Sequence, residues 1–132
     1  MNNYDDYVCA EIPDPITQPR LHAAVTGMML HGFCTPASPC WRNGACSKHF
    51  PFAFCDETHV TDNGMRVIHR RRSPENGGRE FVRRDYVYNN SHVVPYNPYL
   101  LLRFNAHINV VICTSAGWIK YLYVPDMIPL SS

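Results

Sequence analysis

Residues 92–123 read HVVPYNPYLLLRFNAHINVVICTSAGWIKYLY. Pro95 and Pro98 fix their own φ and bias Val94 and Asn97 toward extended backbone, so VVPYNPY is a stiff entry. Tyr99 to Phe104 is apolar apart from Arg103, and helix and strand fit it about equally well. In HINVVIC, His107 to Cys113, four of seven residues are β-branched, which favours a pleated, buried strand. Ser115 is placed to cap a short helix from Ala116 to about Tyr123, which Pro125 would stop. On such a helix Ile119 and Tyr123 share a face, while Tyr121 points elsewhere.

Upstream, residues 1–15 read as an irregular, acidic lead-in ending in Pro13 and Pro15. Leu21, Val25 and Met28 or Met29 recur at helical spacing and predict a helix from about Gln18 to Leu30, with Thr17 as a cap and Gly32 as a stop. Residues 31–55 form a Cys/His-rich stretch, with Pro, Gly and Ser throughout; a loop of this composition needs a staple. Asp62-Asn63-Gly64 is a turn signal inside Thr58–Arg72, which predicts a hairpin. SPENGG, Ser73 to Gly78, is a second turn, and Arg79 to Tyr88 alternates loosely as a strand that would pair back. The expected class is α+β: a small antiparallel sheet, two main helices and a Cys-rich loop.

The 132 residues amount to one domain or part of one, with 45% hydrophobic and 12% aromatic content typical of a globular chain. A net charge of +1 gives no global case for nucleic acid, so any such case rests on a local patch. The N-terminus lacks the basic-then-apolar pattern of a signal peptide, and no run reaches the length of a membrane span. Six cysteines without a secretory signal read as reduced thiols or metal ligands before disulfides. There is no GKS or GKT phosphate loop, hence no visible ATPase site.

Three constellations carry candidate chemistry. His31, Cys34, Cys40 and Cys46, spaced H-x2-C-x5-C-x5-C, suit a closed, structural zinc site, with His49 and Cys55 as rival ligands. Metal binding would supply the folding free energy that this poorly periodic stretch lacks; the competing reading is a set of buried free thiols. Arg70, Arg71 and Arg72, with Arg66, Arg79, Arg83 and Arg84 nearby, would line a basic face suited to phosphate oxygens if they lay on paired strands. The competing reading is a solvated face balanced by Glu75, Glu80 and Asp85. His107-Ile108-Asn109 supplies one histidine where a His-x-His metal strand needs two, so His107 reads as a hydrogen-bonded strand residue.

VVPYNPYLLLRFNAHINVVIC followed by IKYLY resembles the Helitron transposase family, eukaryotic rolling-circle transposon proteins in which a Rep-type nuclease is fused to a helicase. AEIPDP, HGFC, SPC, GACSKHFP and RRR stand upstream in the family's order, so the resemblance runs from about Ala10 to Tyr123. It implies that the chain is the C-terminal part of a Rep-like domain, with the tyrosine on the segment 92–124. It implies that Tyr121, preceded by Lys120, stands at the first tyrosine of the family's KYLxKY helix, the nucleophile that cleaves single-stranded DNA and forms a 5′-phosphotyrosine. The family's second tyrosine falls on Pro125, the lysine before it falls on Val124, and no His-hydrophobe-His strand is present to hold the divalent cation. The family pattern has no histidine at the place of His49 and so favours His31 as a zinc ligand.

The resemblance therefore implies a transposon-derived fragment, inactive alone, that is nuclear and has single-stranded DNA as its partner. Arg70, Arg71, Arg72 and Lys120 would touch phosphate, and neither membrane nor small-molecule substrate is expected. Two other classes stay open: a non-catalytic, zinc-stabilised nucleic-acid-binding module, and a structural remnant without function.

Overall fold

A computed structural model describes residues 4–113 and 118–123, and in the latter segment and at Cys113 only the backbone. The chain is α+β. Among the described residues two α-helices, α1 (Pro19–Met28) and α2 (Pro98–Phe104), and three short 3-10 turns accompany eight strands. The strands are β1 (Trp41–Arg42), β2 (Ala45–Cys46), β3 (His59–Val60), β4 (Val67–Ile68), β5 (Phe81–Arg83), β6 (Tyr86–Tyr88), β7 (Ile108–Cys113) and β8 (Trp118–Tyr123). They do not build one sheet. Each pairs only with its sequence neighbour, giving four antiparallel two-stranded ladders among the described residues. Strands of two or three residues bounded by Pro, Gly and Asn are too short to recruit further partners.

Helix α1 begins with Pro19 at its first turn, where the missing N–H costs nothing. Its N-cap is Gln18, without a side-chain bond, and not Thr17. The expected face is buried: Leu21, Val25 and Met29 enter the main core. Helix α2 resolves the ambiguous run 99–104. The Asn97 side chain accepts a hydrogen bond from the Leu100 N–H at 2.9 Å, Pro98 follows as first helical residue, and Asn105 closes the helix in the left-handed region.

The segment Val93–Tyr96 is laced from both sides. Tyr96 exchanges backbone hydrogen bonds of 2.8 and 2.9 Å with Cys9, and the Val94 N–H donates to the Met29 carbonyl at 2.7 Å. From residue 4 the N-terminal lead-in holds one 3-10 turn, Tyr4–Asp6, and is otherwise largely irregular, yet it is core: Val8, Ala10 and Ile12 are each 1% exposed. Ile12 joins Val25, Met29, Val93, Tyr96 and Leu101, whereas Val8 packs with Ile108, Val110 and Ile112 of β7.

The hairpin expected around Asp62-Asn63-Gly64 is present as β3–β4. Arg79–Tyr88 does not pair back onto it but folds on itself as β5–β6, turning at Arg84 and Asp85, both at positive φ. The larger correction concerns 118–123, which form a strand and not a helix. β8 pairs with β7 over six positions, from Ile108 opposite Tyr123 to Cys113 opposite Trp118. WIKYLY is rich in aromatic and β-branched residues, and the β-branched strand β7 offers it a ladder that a lone helical turn could not match. Ser115, the expected cap, lies outside the described residues. No described helix is long and apolar enough to cross a membrane.

Candidate metal centre

Three pieces of backbone bring His31, Cys34, Cys40 and Cys46 together. His31 follows α1 and is pinned by its own N–H, which donates to the His92 carbonyl at 2.8 Å. Its ring stacks on Phe50 with centroids 4.4 Å apart. Asn43 and Gly44, at φ 51° and 83°, make the tight turn between β1 and β2, as an Asn-Gly pair does in two-residue hairpins. That turn returns Cys46 opposite Trp41, and the Ser47 N–H donates to the Cys40 carbonyl at 2.7 Å. Cys40 and Cys46 are thereby fixed at neighbouring ends of one hairpin. Cys34 closes the group from the loop that leaves His31.

The four ligand atoms all lie within 4.8 Å of one another, and the group can hold a metal ion. His31 Nε2 is 3.5 Å from both Cys40 Sγ and Cys46 Sγ. A tetrahedron with metal–sulfur bonds of about 2.3 Å and metal–nitrogen bonds of about 2.05 Å has N···S edges of about 3.6 Å, so these distances fit. Cys34 Sγ and Cys40 Sγ stand 2.8 Å apart, too far for a disulfide bond of about 2.05 Å and short of the roughly 3.8 Å S···S edge. Metal entry between those two sulfurs requires them to spread by about 1 Å.

The electrostatics suit ligation. Burial, aided by the charge of Lys48, lowers the His31 pKa and keeps its imidazole neutral, the form that binds metal. Burial would raise the Cys46 thiol, but hydrogen bonds to its sulfur from the Phe50 and Lys48 backbones and from Cys34 and Cys40 together outweigh it and bring the pKa down. Burial and the neighbouring Cys40 and Cys46 sulfurs push Cys34 up to about 12. Three crowded sulfurs cannot all ionise without a cation among them. The rival ligands stand apart: Cys55 donates its thiol to the His69 carbonyl at 3.1 Å, and His49 is exposed, outside the group.

The arginine tract does not form one exposed face. Arg71 is 4% exposed, donates from one Nη1 to the Asn90 and Val93 carbonyls at 2.8 Å each, and lies 4.4 Å from the Phe52 ring centroid. Burial lowers its pKa to about 10, still far above neutrality. Arg70 and Arg72 point the other way, as alternate residues of extended backbone must, and both clasp Glu11. Their side chains are thus committed to the fold. Glu11, in the segment expected to be a lead-in, has no local signal that marks it as structural; its partners lie about sixty positions away, beyond any local pattern.

Tyr121 and Lys120 lie on β8, opposite Val110 and Val111. His107 lies immediately before β7 and not on it, but it is buried and hydrogen-bonded as expected, its Nδ1 2.9 Å from the Met28 carbonyl. No family model and no curated protein matches this chain.

Proposed function

We propose that this chain is a non-catalytic, zinc-stapled module for binding single-stranded nucleic acid, derived from the Rep-like region of a Helitron transposase and acting in the nucleus. The observation that carries the reading is the convergence of His31, Cys34, Cys40 and Cys46 on one point from a helix end, a loop and a hairpin. Three thiolates and one imidazole form a soft, four-ligand set that zinc satisfies without an open position, and such a site stabilises rather than catalyses. Its position between α1 and the rest of the Cys-rich loop makes the metal a substitute for the apolar core that residues 33–55 lack. The link to single strands rests on the ordered resemblance from AEIPDP to IKYLY.

The test is refolding with and without zinc, followed by metal analysis and thiol counting. One zinc per chain is expected, with Cys34, Cys40 and Cys46 slow to react until a chelator is added. Stoichiometric zinc that survives the combined change of Cys34 and Cys46 to Ser, or no zinc at all, would end this reading.

A further inference from the structure

Phe33, Arg83, Arg84, Tyr86 and Tyr88 line a cleft of about 450 Å³ beside the metal-ligand loop. We infer that this cleft is where a single-stranded nucleic acid docks, its bases stacking on Phe33 and Tyr86 and its phosphates meeting Arg83 and Arg84. The inference rests on the proposed function and assigns a site to it.

The aromatic floor is held in place. Phe33 sits between the ligands His31 and Cys34, stacks on His92 at 4.7 Å between centroids, and meets Tyr88 edge-on at 5.1 Å. Tyr86 leans over the same ring at 4.7 Å and 38°. Yet Phe33 is 41% exposed and Tyr86 51% exposed, so two rings that a core would bury keep surface open to solvent, Phe33 with one face covered by His92. Exposed aromatic faces accept any base and give sequence-tolerant stacking.

The charged residues that line the cleft are both arginines, although Asp85 stands beside Arg84 in the β5–β6 turn. Arg83 is oriented by a 3.0 Å hydrogen bond from its Nη1 to the Thr26 carbonyl and by the Tyr88 ring 4.9 Å away. Arg84 tops the β5–β6 turn, is exposed, and makes no ion pair among the described residues. No carboxylate lines the cleft. Unlike Arg70 and Arg72, neither guanidinium group pairs with a carboxylate among the described residues, and Arg83 gives one hydrogen bond to the Thr26 carbonyl. Planar forks beside stacking rings suit a phosphate backbone with unpaired bases.

The experiment uses the zinc-loaded chain and a fluorescent thymidine oligonucleotide of about 12 nucleotides, with anisotropy read from about 50 to 200 mM salt. Tyr86→Ala is expected to weaken binding about fivefold or more, and Arg84→Ala to reduce the salt slope by about 0.7. A duplex of equal length should bind less well, since its bases are already stacked. Phe33→Ala should behave like Tyr86→Ala, but Phe33 neighbours two metal ligands, so the exposed β6 residue carries the test. If the parent binds while Tyr86→Ala and Arg84→Ala bind equally tightly, the cleft is not the site and the module reading stands. If the folded, zinc-loaded parent binds no oligonucleotide, both fall. Capture of a proline-rich peptide in place of the oligonucleotide, lost in Tyr86→Ala, would assign the cleft to peptide and overturn the inference.

Discussion

Glu11 and Arg72, 61 positions apart, are joined as a two-pronged pair: Arg72 Nε donates to Oε2 at 2.9 Å and Nη2 to Oε1 at 2.8 Å. The Arg72 backbone N–H adds a third bond to Oε2 at 2.8 Å, and Arg70 reaches Oε1 at 3.0 Å. Burial disfavours the Glu11 carboxylate, but the Arg72 hydrogen bonds and the charges of both arginines outweigh it and hold the pKa below its ordinary value. The pair ties the N-terminal segment to the strand-like stretch that follows β4. Glu11→Ala should cost about 2–3 kcal/mol, below the range for fully buried pairs because the arginine side chains keep 39% and 34% of their exposure. Urea unfolding of Glu11→Gln, Arg72→Met and the double variant should give a coupling of about 1 kcal/mol or more. Additive losses would show that the pair contributes no net attraction.

Acid should weaken the fold in two stages. Burial, reinforced by the Arg71 charge and opposed by Asp5, lowers the His69 pKa from 6.5 to about 4, and its Nδ1 has no hydrogen-bond partner among the described residues. The unfolded chain therefore takes up a proton first. His69 costs nothing above about pH 6.5, and stability falls as pH drops from there to about 4. The shift corresponds to about 3 kcal/mol over that window. Below it, protonation of Glu11 removes the stability that its depressed pKa contributes. Zinc loss would act on parent and variant alike, so the difference between parent and His69→Gln isolates this residue. Parallel stability–pH curves for the two proteins would refute the assignment.

Two glycines should respond in opposite directions to alanine. A Cβ on Gly78 would stand 2.0 Å from the Arg72 carbonyl oxygen and 2.9 Å from Asn90 Nδ2. Asn90 is itself committed, accepting from the Ile12 N–H and donating to the Arg72 carbonyl, so neither neighbour can yield cheaply. Gly78→Ala should destabilise by about 2 kcal/mol or more, the range of overpacked sites. Gly27 lies within α1, and a methyl group there would meet nothing within 4 Å, so Gly27→Ala should stabilise by up to about 1 kcal/mol. Thermal melts of the two variants with zinc present read the contrast directly.

What is legible in the sequence follows from the range of each interaction. Helix α1 announces itself because Leu21, Val25 and Met29 repeat within three turns, and β3–β4 because Asp62-Asn63-Gly64 is a local turn code. The metal quartet is legible from ligand type and spacing alone. Asn43-Gly44 carries the same kind of code for β1–β2, hidden inside a stretch whose composition otherwise signals loop. The rest is decided at a distance. WIKYLY is compatible with a helix until β7 offers it a ladder, and RRR looks like a surface patch until Glu11 and the Asn90 carbonyl claim its members. One-residue alternation along an extended segment sends Arg71 inward and its neighbours outward, which no charge count reveals.

The last expectation is that this chain does not cleave single-stranded DNA, with or without Mg²⁺ or Mn²⁺. Tyrosine is a weak nucleophile at neutral pH because its hydroxyl titrates near pKa ~10. Attack on a phosphodiester needs a cation on the scissile phosphate, to offset charge and orient it for in-line displacement. Hard divalent ions bind imidazole or carboxylate groups converging from a rigid element, and none of the seven histidines stands two positions from another. The converging histidine, His31, is grouped with three soft thiols in a set that leaves no open coordination position once four ligands are engaged. Tyr121 itself lies on β8, opposite Val110, and not on the helix that would present a nucleophile in the Rep arrangement. Without electrostatic stabilisation of the developing charge, rates fall by orders of magnitude. The assay is a single-stranded oligonucleotide labelled at its 3′ end, incubated with zinc-loaded protein and added metal. No covalent protein–DNA adduct should form, and parent and Tyr121→Phe should be indistinguishable; an adduct present in the parent and absent from Tyr121→Phe would restore the nuclease reading.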